Sequence, residues 1–113
     1  MNPRRVHELM RLHFPAVSGQ HRGWKNVAEA WGVREDDIRQ LMDQHIHAAD
    51  VLVEVHRRIG SYLPKDEAVK FIAQHIGQGE IRVADRDFTG FVVVAVNGVA
   101  TGWKAGDPPS VAP

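Results

Sequence analysis

The spacing of hydrophobic residues changes character at about residue 79. Before it, apolar residues recur roughly once per helical turn and are interrupted by Pro15, Gly32, Gly60 and Gly77, which is typical of short helices. This pattern predicts five helices, at about residues 3–14, 24–31, 35–44, 48–59 and 66–76. The fourth has an alternative, because the run V-L-V-E-V within it could also form a strand.

Apolar runs between turn signals after Gly79 predict strands at residues 81–84, 90–96 and 99–104. Asn97 and Gly98 lie between valines and predict a two-residue type I′ turn, in which both residues have positive φ. The middle strand is apolar on both faces, which fits a central strand or a strand at a dimer interface. We therefore expect an α+β fold with about five short helices followed by a three-stranded antiparallel β-meander packed on one side of them. The predicted domain covers residues 1–104, and a Pro-rich disordered tail covers residues 105–113.

The composition limits the class of protein. With 113 residues, 43% of them hydrophobic and 25% charged, the chain has the size and balance of one globular domain. It has no cysteine, which excludes disulfides and thiolate metal sites. The longest apolar run, residues 91–96, is far shorter than the roughly 20 residues that span a bilayer. Polar residues also interrupt any signal-peptide core behind Arg4 and Arg5. We expect a cytoplasmic protein without a membrane segment.

Charge is balanced overall but unevenly distributed along the chain. The first stretch is basic through five residues, Arg4, Arg5, Arg11, Arg22 and Lys25. The predicted third helix begins with three acids, Glu35, Asp36 and Asp37. A nucleic-acid-binding protein usually has a basic surplus, because phosphate neutralisation supplies most of its affinity. The zero net charge therefore favours opposed basic and acidic faces over a DNA-binding surface.

The most informative local pattern lies at residues 24–44, which are predicted to form two short helices at a steep angle. Ala28 would allow a close approach and Gly32 would make the turn. The spacing resembles the helix-turn-helix of DNA-binding regulators at Val27, Ala28, Gly32, Val33, Ile38 and Leu41. That resemblance implies a second helix that enters the major groove. Its first turn would hold the three acids against phosphates, which disfavours DNA as a partner.

The same segment also resembles the death-fold superfamily of helical interaction domains. The matching positions are Trp24, Val27, Ala28, Gly32, Val33, Asp37 and Ile38. The resemblance extends over about residues 6–77 and implies a module that binds protein partners through opposed charged patches. The sequence departs from that family after residue 77, where a β-meander replaces the expected sixth helix, and at Trp31, where an aliphatic residue is usual. Any three-helix corner needs a similar pattern, so a purely structural interpretation stays open.

Seven histidines are the main candidates for metal or catalytic chemistry. On a helix, His47, Asp50 and Glu54 would line one face, but they lack the H-x-x-x-H and H-E-x-x-H spacings of strong metal motifs. A solvated helix face is the preferred interpretation. The sequence has no nucleophile elbow and no phosphate-binding glycine loop after a strand. We predict no catalytic residue, no metal and no cofactor, while a Glu–His acid–base pair assembled only by the fold stays open.

The aromatic residues divide into two groups. Trp24 and Trp31 are predicted to be core residues of the helical part. Phe88 in the first β-turn and Trp103 in the last strand have two interpretations. They could be exposed anchors for a partner, or they could pack where the sheet meets the helices.

The predicted function is a small non-enzymatic protein-protein interaction or regulatory module that acts through charged helical faces. Its partner would be another protein or a second copy of the chain. The five basic residues and the three acids named above would form the two opposed faces. The first alternative is a helix-turn-helix transcriptional regulator whose DNA contacts come from the basic segment, with the C-terminal hairpin as a wing or dimer strand. The second alternative is a small enzyme of unknown reaction.

Overall fold

Three helices and eight strands make up the chain in the computed structural model, which describes residues 1–16 and 23–106. The helices are α1 (Pro3–His13), α2 (Glu35–His45) and α3 (Lys65–His75). The strands are β1 (Lys25–Asn26), β2 (Ala28–Glu29), β3 (Gly32–Val33), β4 (Asp50–His56), β5 (Ile59–Pro64), β6 (Ile81–Ala84), β7 (Gly90–Val94) and β8 (Val99–Lys104).

Six strands form one antiparallel sheet in the order β1-β8-β7-β6-β4-β5, and β2 and β3 form a separate two-stranded ribbon. Helix α1 packs on one face of the sheet, mainly on β4 and β5. Helices α2 and α3 pack against each other and on the opposite face. The sheet is therefore the middle layer between two helical layers.

Coverage of both faces explains why the central strands are apolar throughout. Strand β4 is buried from Val51 to Val55, and all five residues of β7 are buried. Alternate residues of β4 join different cores, since Leu52 contacts the α1 side while Val51 and Val53 contact the α2–α3 side. One of these inward positions, Glu54, is a carboxylate with only 5% of its surface exposed.

Two glycines let the end of α2 lie directly on the sheet. A Cβ atom at Gly90 would lie 1.9 Å from the backbone oxygen of His45. A Cβ atom at Gly102 would lie 2.5 Å from Cδ2 of the His45 ring. Any larger residue at either position would push α2 away from β7 and β8.

The predicted second helix is wrong, because residues 24–31 form β1, β2 and a turn. Lys25 and Asn26 pair with Ala100 and Val99 and so extend the sheet beyond β8. The amide of Val27 donates to the carbonyl of Gly98 at 2.8 Å. These backbone groups find partners more than 70 residues away in sequence (Asn26 with Val99), which a local helical pattern cannot anticipate.

The predicted fourth helix is also wrong, because residues 48–59 form β4 and the start of β5. The strand alternative for V-L-V-E-V is the observed one. Strand β4 lies between β5 and β6 and exchanges ladder hydrogen bonds with both. The turn that joins it to β5, Arg57-Arg58, contains neither glycine nor asparagine and so carries no hairpin signal in the sequence.

The fold class remains α+β, but five helices followed by a three-stranded meander is an incorrect description. The structure has three helices and eight strands over its described residues. The predictions of α1, α2 and α3 are confirmed to within a few residues, as are β6, β7 and β8. The three predicted strands do pair in sequence order, but they form only the middle of the six-stranded sheet.

The hairpin between β7 and β8 is confirmed, but its predicted turn type is wrong. The amide of Gly98 donates to the carbonyl of Ala95 at 2.9 Å, so the turn spans residues 95–98. Gly98 has a φ of 87°, whereas Phe88 is the sole non-glycine residue with positive φ in the described chain. Asn97 therefore lacks the positive φ of a type I′ turn, and the loop is a three-residue one that ends on a left-handed glycine. Most of the predicted disordered tail, residues 107–113, lies outside the described residues.

Candidate functional site

The ribbon of β2 and β3 presents Trp31 to solvent. Ala28 pairs with Val33 and Glu29 with Gly32, which leaves Ala30 and Trp31 at the tip. Trp31 is 84% exposed, more than any other large hydrophobic side chain in the described residues. The prediction of Trp31 as a core residue is therefore wrong, because that prediction depended on helical periodicity in a segment that forms strands. Trp24 is half-buried and packs against the core on the α1 side.

The base of this ribbon is fixed to the rest of the fold. Val27 is fully buried, and the amide of Arg34 donates to its carbonyl at 2.7 Å. Arg34 also donates a hydrogen bond to Glu29 across the ribbon. At Gly98 a Cβ atom would lie 2.9 Å from Cβ of Ala28, so the ribbon lies directly against the 95–98 turn. Trp31 is thus displayed from a backbone that is held at both ends.

Three acids begin α2 directly after the ribbon, where the partial positive charge of a helix N-terminus stabilises carboxylates. Together with Val33 and Arg34 they line an open depression of about 440 Å³. Asp37 lies 3.7 Å from both Arg34 and Lys25. Glu35 and Asp36 are exposed and form no ion pair within residues 1–16 and 23–106, so both side chains are available to an external partner.

The acidic surface continues into the groove between α2 and α3. Glu35 and Asp36 also line this second depression, of about 340 Å³, together with Asp66 and the cations Arg39 and Lys70. Arg39 crosses the groove and bonds both Asp43, at 3.2 Å, and Asp66. The hydrogen bond to Asp43 raises the pKa of the Arg39 guanidinium, so this cation is committed to its own carboxylates.

The structure separates the residues of the predicted basic face. Arg4, Arg5 and Arg11 lie on α1, on the opposite side of the sheet from the acidic start of α2. Glu8 partly neutralises two of them, at 4.0 Å from Arg4 and 3.2 Å from Arg5. Lys25 lies on β1 and approaches the predicted acidic face instead, through Asp37. Arg22 lies outside the described residues.

The two predicted aromatic anchors lie in different environments. Trp103 is only 7% exposed and packs with Phe14 and Phe91, at centroid distances of 6.0 and 5.4 Å. Of the two interpretations, core packing is therefore the observed one for Trp103. Phe88 is half-buried, with φ at 55° and its ring 5.2 Å from that of His13.

Because residues 50–56 form strand β4, His47, Asp50 and Glu54 do not share the helix face predicted for them. Glu54 points instead toward α1, where His7 Nδ1 lies 2.8 Å from its Oε2. In the part of the chain that the structure describes, no three histidine, aspartate or glutamate side chains are grouped to hold a metal ion. The same part contains no helix with the length and apolar character needed to cross a membrane.

The exposure of Trp31 and the contact between His7 and Glu54 could not be predicted from the sequence. The exposure of Trp31 depends on a ribbon whose backbone partners lie near residue 98, so no local signal identified it. The contact between His7 and Glu54 joins residues 47 positions apart. The strand alternative for residues 51–55 was the one available clue, since period-two alternation places Glu54 on the same side as the buried Leu52.

No protein-family model, curated protein or solved structure matches this chain. The comparisons do not test the helix-turn-helix and death-fold resemblances, but the helical corner predicted at residues 24–44 is wrong, because residues 24–31 form β1, β2 and a turn.

Proposed function

We propose that this chain is a non-enzymatic protein-binding module that docks a basic segment of a partner on its Trp31 surface, defined as Trp31 with Glu35 and Asp36. The observation that carries the proposal is the 84% exposure of Trp31 at the tip of an anchored ribbon, which leads through β3 and Arg34 to two carboxylates that are unpaired in the described structure. This keeps the acidic face predicted from the sequence and adds an aromatic anchor to it.

Tryptophan, with tyrosine and arginine, is enriched at the energetic centre of protein interfaces. Its burial removes about 150–250 Å² from water, and the indole loses little side-chain entropy on binding. Because the backbone on both sides of Trp31 is already hydrogen-bonded, a partner would not need to order the ribbon first. The exposed indole is therefore suited to act as an anchor.

The charges at the start of α2, to which the ribbon leads, favour a basic partner. Glu35 and Asp36 are exposed carboxylates that line both adjoining depressions, whereas Asp66 is bonded to Arg39. Lysine or arginine side chains of a partner would gain attraction to these acids and a cation–π contact with the indole. Association should then slow as salt is added, because exposed charges are screened over about 8–10 Å at physiological ionic strength.

The test is a peptide-display selection on the purified, immobilised protein, followed by calorimetric titration of the selected peptides. We expect enrichment of peptides that combine lysine or arginine with a large apolar residue. Trp31→Ala should weaken their binding by about tenfold or more, the effect typical of an interface anchor. Leu12→Ala is the matched control, because Leu12 is 62% exposed but lies on α1. Equal affinity of Trp31→Ala and the wild-type protein would refute the proposal.

Charge reversal tests the acidic part of the surface separately. Asp36→Lys should weaken the same peptides by several-fold and flatten their salt dependence, since it replaces an attractive charge by a repulsive one. Asp87→Lys makes the same change at an exposed position in the β6–β7 turn and should leave binding unchanged. Selection of acidic peptides, or equal effects of the two reversals, would contradict a basic partner.

A further inference from the structure

A cleft beside α1 is lined almost entirely by ionisable side chains. It has a volume of about 530 Å³ and lies where α1, the β4–β5 turn and the start of β6 meet. Its charged and polar lining residues are His7, Glu54, His56, Arg57, Arg58, Glu80 and Arg82. We call it the Glu54 cleft.

A β-bulge and a close helix contact build this cleft. Glu54 pairs with Gly60 while His56 pairs with Ile59, so Val55 is an extra residue that bends β4 at the cleft. Opposite the bulge, a Cβ atom at Gly60 would lie 3.2 Å from Cγ1 of Val6. The absence of a side chain at Gly60 thus lets α1 approach closely enough for His7 to reach Glu54.

Each carboxylate of the cleft is already bonded to a partner within the chain. Glu54 is 5% exposed, and its Oε2 lies 2.8 Å from His7 Nδ1. A carboxylate accepts hydrogen bonds, so Nδ1 of His7 is the donor. Glu80 accepts from Arg82 at 3.1 Å, and the Arg82 guanidinium also lies over the Phe14 ring. Glu80 is therefore paired with a cation, whereas Glu54 is turned toward α1 and hydrogen-bonded there.

The arginine side chains of the β4–β5 turn, in contrast to these carboxylates, are not bonded to a partner among the described residues. Arg57 and Arg58 are exposed, and neither forms an ion pair with any described residue. The backbone amide of Arg58 donates to Nδ1 of His56 at 3.1 Å, which leaves the proton of a neutral His56 ring on Nε2. The cleft thus combines two uncommitted guanidinium groups with an imidazole N–H donor.

We propose that the Glu54 cleft binds a phosphomonoester group, with Arg57 and Arg58 supplying charge and His56 an additional hydrogen bond. Two guanidinium forks and an imidazole offer more donors than the two oxygens of a carboxylate can use, whereas a phosphate monoester has three terminal oxygens. Arginine also matches phosphate geometry through paired N–H donors. The volume exceeds that of a lone phosphate and falls within the range of small-ligand sites, so an organic group would be accommodated as well.

The test uses the full chain and nuclear magnetic resonance titration with three probes: phenyl phosphate, a phosphoserine peptide and benzoate. We expect phenyl phosphate to shift the Nε–Hε signals of Arg57 and Arg58 and the ring signals of His56. A response to phenyl phosphate indicates a small-molecule phosphate ester as a source of the ligand. A response to the phosphoserine peptide alone indicates a phosphorylated protein side chain.

Arg57→Gln and Arg58→Gln should each lower the affinity for the responding probe by about tenfold, as expected for the loss of a charge-assisted hydrogen bond. Arg86→Gln removes the same charge from the exposed β6–β7 turn and should leave the affinity unchanged. The proposal is overturned if no phosphate probe shifts the cleft signals, if benzoate binds as tightly as phenyl phosphate, or if all three variants behave alike. The wild-type shifts locate the site even if a variant fails to fold.

Discussion

At the scale of single residues, Gly90 and Gly102 determine how closely α2 approaches the sheet. The backbone oxygen of His45 occupies the position where a Cβ atom of residue 90 would be. Backbone cannot move aside as the end of a flexible side chain can. The position therefore tolerates no side chain without displacement of the end of α2.

We expect Gly90→Ala to destabilise the fold by about 3 kcal/mol, the upper end of the usual cost of overpacking a core. Urea unfolding measures this free energy directly. Gly79→Ala is the control, because a Cβ atom there would make only an ordinary 3.4 Å contact with the carbonyl of Val55. Similar stability of the two variants would mean that α2 does not rest on Gly90.

Trp31 illustrates where residue-scale prediction failed. Its spacing from Trp24 and Val27 fits one face of a helix, so the sequence favoured burial. The ribbon reverses the chain at Ala30 and Trp31, and this reversal places the indole in solvent. By contrast, the acids at residues 35–37 were predicted correctly as the start of a helix, since charge preference at a helix N-terminus is a local effect.

At the scale of elements, Lys65 joins the beginning of α3 to the end of α2. The residue is 8% exposed, and its Nζ donates to Asp43 at 3.1 Å and to the carbonyl of Ile46. Burial opposes the ionisation of Asp43, but hydrogen bonds from Lys65 and Arg39 outweigh it and hold the pKa of that carboxyl below its usual value. The charged form of Asp43 therefore stabilises the contact between the two helices.

This lowered pKa sets the pH dependence of stability. A carboxyl whose pKa is lower in the folded state contributes stability above its unfolded pKa, and the contribution is lost as pH falls through the folded value. Asp43→Asn should be less stable than the wild-type protein at neutral pH, and the difference should shrink below about pH 4.

Urea unfolding of both proteins between neutral pH and about pH 3 measures that difference. Asp87→Asn, an exposed substitution in the β6–β7 turn, controls for the general loss of negative charge. A difference between Asp43→Asn and wild type that stays constant across the range would contradict the stabilising role of the ionised carboxylate.

The elements that were predicted correctly are those whose caps and hydrophobic spacing lie within a short stretch of sequence. Helix α1 begins at Pro3 with Asn2 as its cap, and its buried residues recur at helical spacing. The helix predicted for residues 24–31 was wrong because the hydrogen-bond partners of these residues lie in β8 and just before it. The helix predicted for residues 48–59 was wrong because a turn made of two arginines does not interrupt a helical pattern as glycine or asparagine would. The Glu54 cleft depends on the pairing of β4 with β5 and β6 and on the contact of α1 with β4, so it could not be predicted.

At the scale of the whole molecule, the sheet is shared by two separate cores. One core lies under α1 and contains Trp103, while the other lies under α2 and α3. Neighbouring residues of the same strands belong to different cores, as Leu52 and Val53 do. If either helical layer detached, it would expose one face of the same strands on which the other layer packs.

We therefore expect one cooperative unfolding transition. The change in tryptophan fluorescence reports mainly on Trp103 and Trp24 on the α1 side, because Trp31 is already 84% exposed in the folded state. Far-ultraviolet circular dichroism reports on all helices, and the two urea midpoints should coincide. Gly90→Ala, which acts on the α2 side, should move both midpoints equally. Separate transitions, or a shift in only one signal, would indicate that the two cores unfold independently.

The position of α2 on β7 and β8 has a consequence for the order of events during protein synthesis. The helix leaves the ribosome well before the strands that carry Gly90 and Gly102, and its apolar residues Ile38, Leu41 and Met42 belong to a core that includes Val92 and Ala100. Until those strands emerge, most of that apolar stripe lacks its final covering. We therefore expect the nascent chain to expose this apolar stripe until β8 has been made.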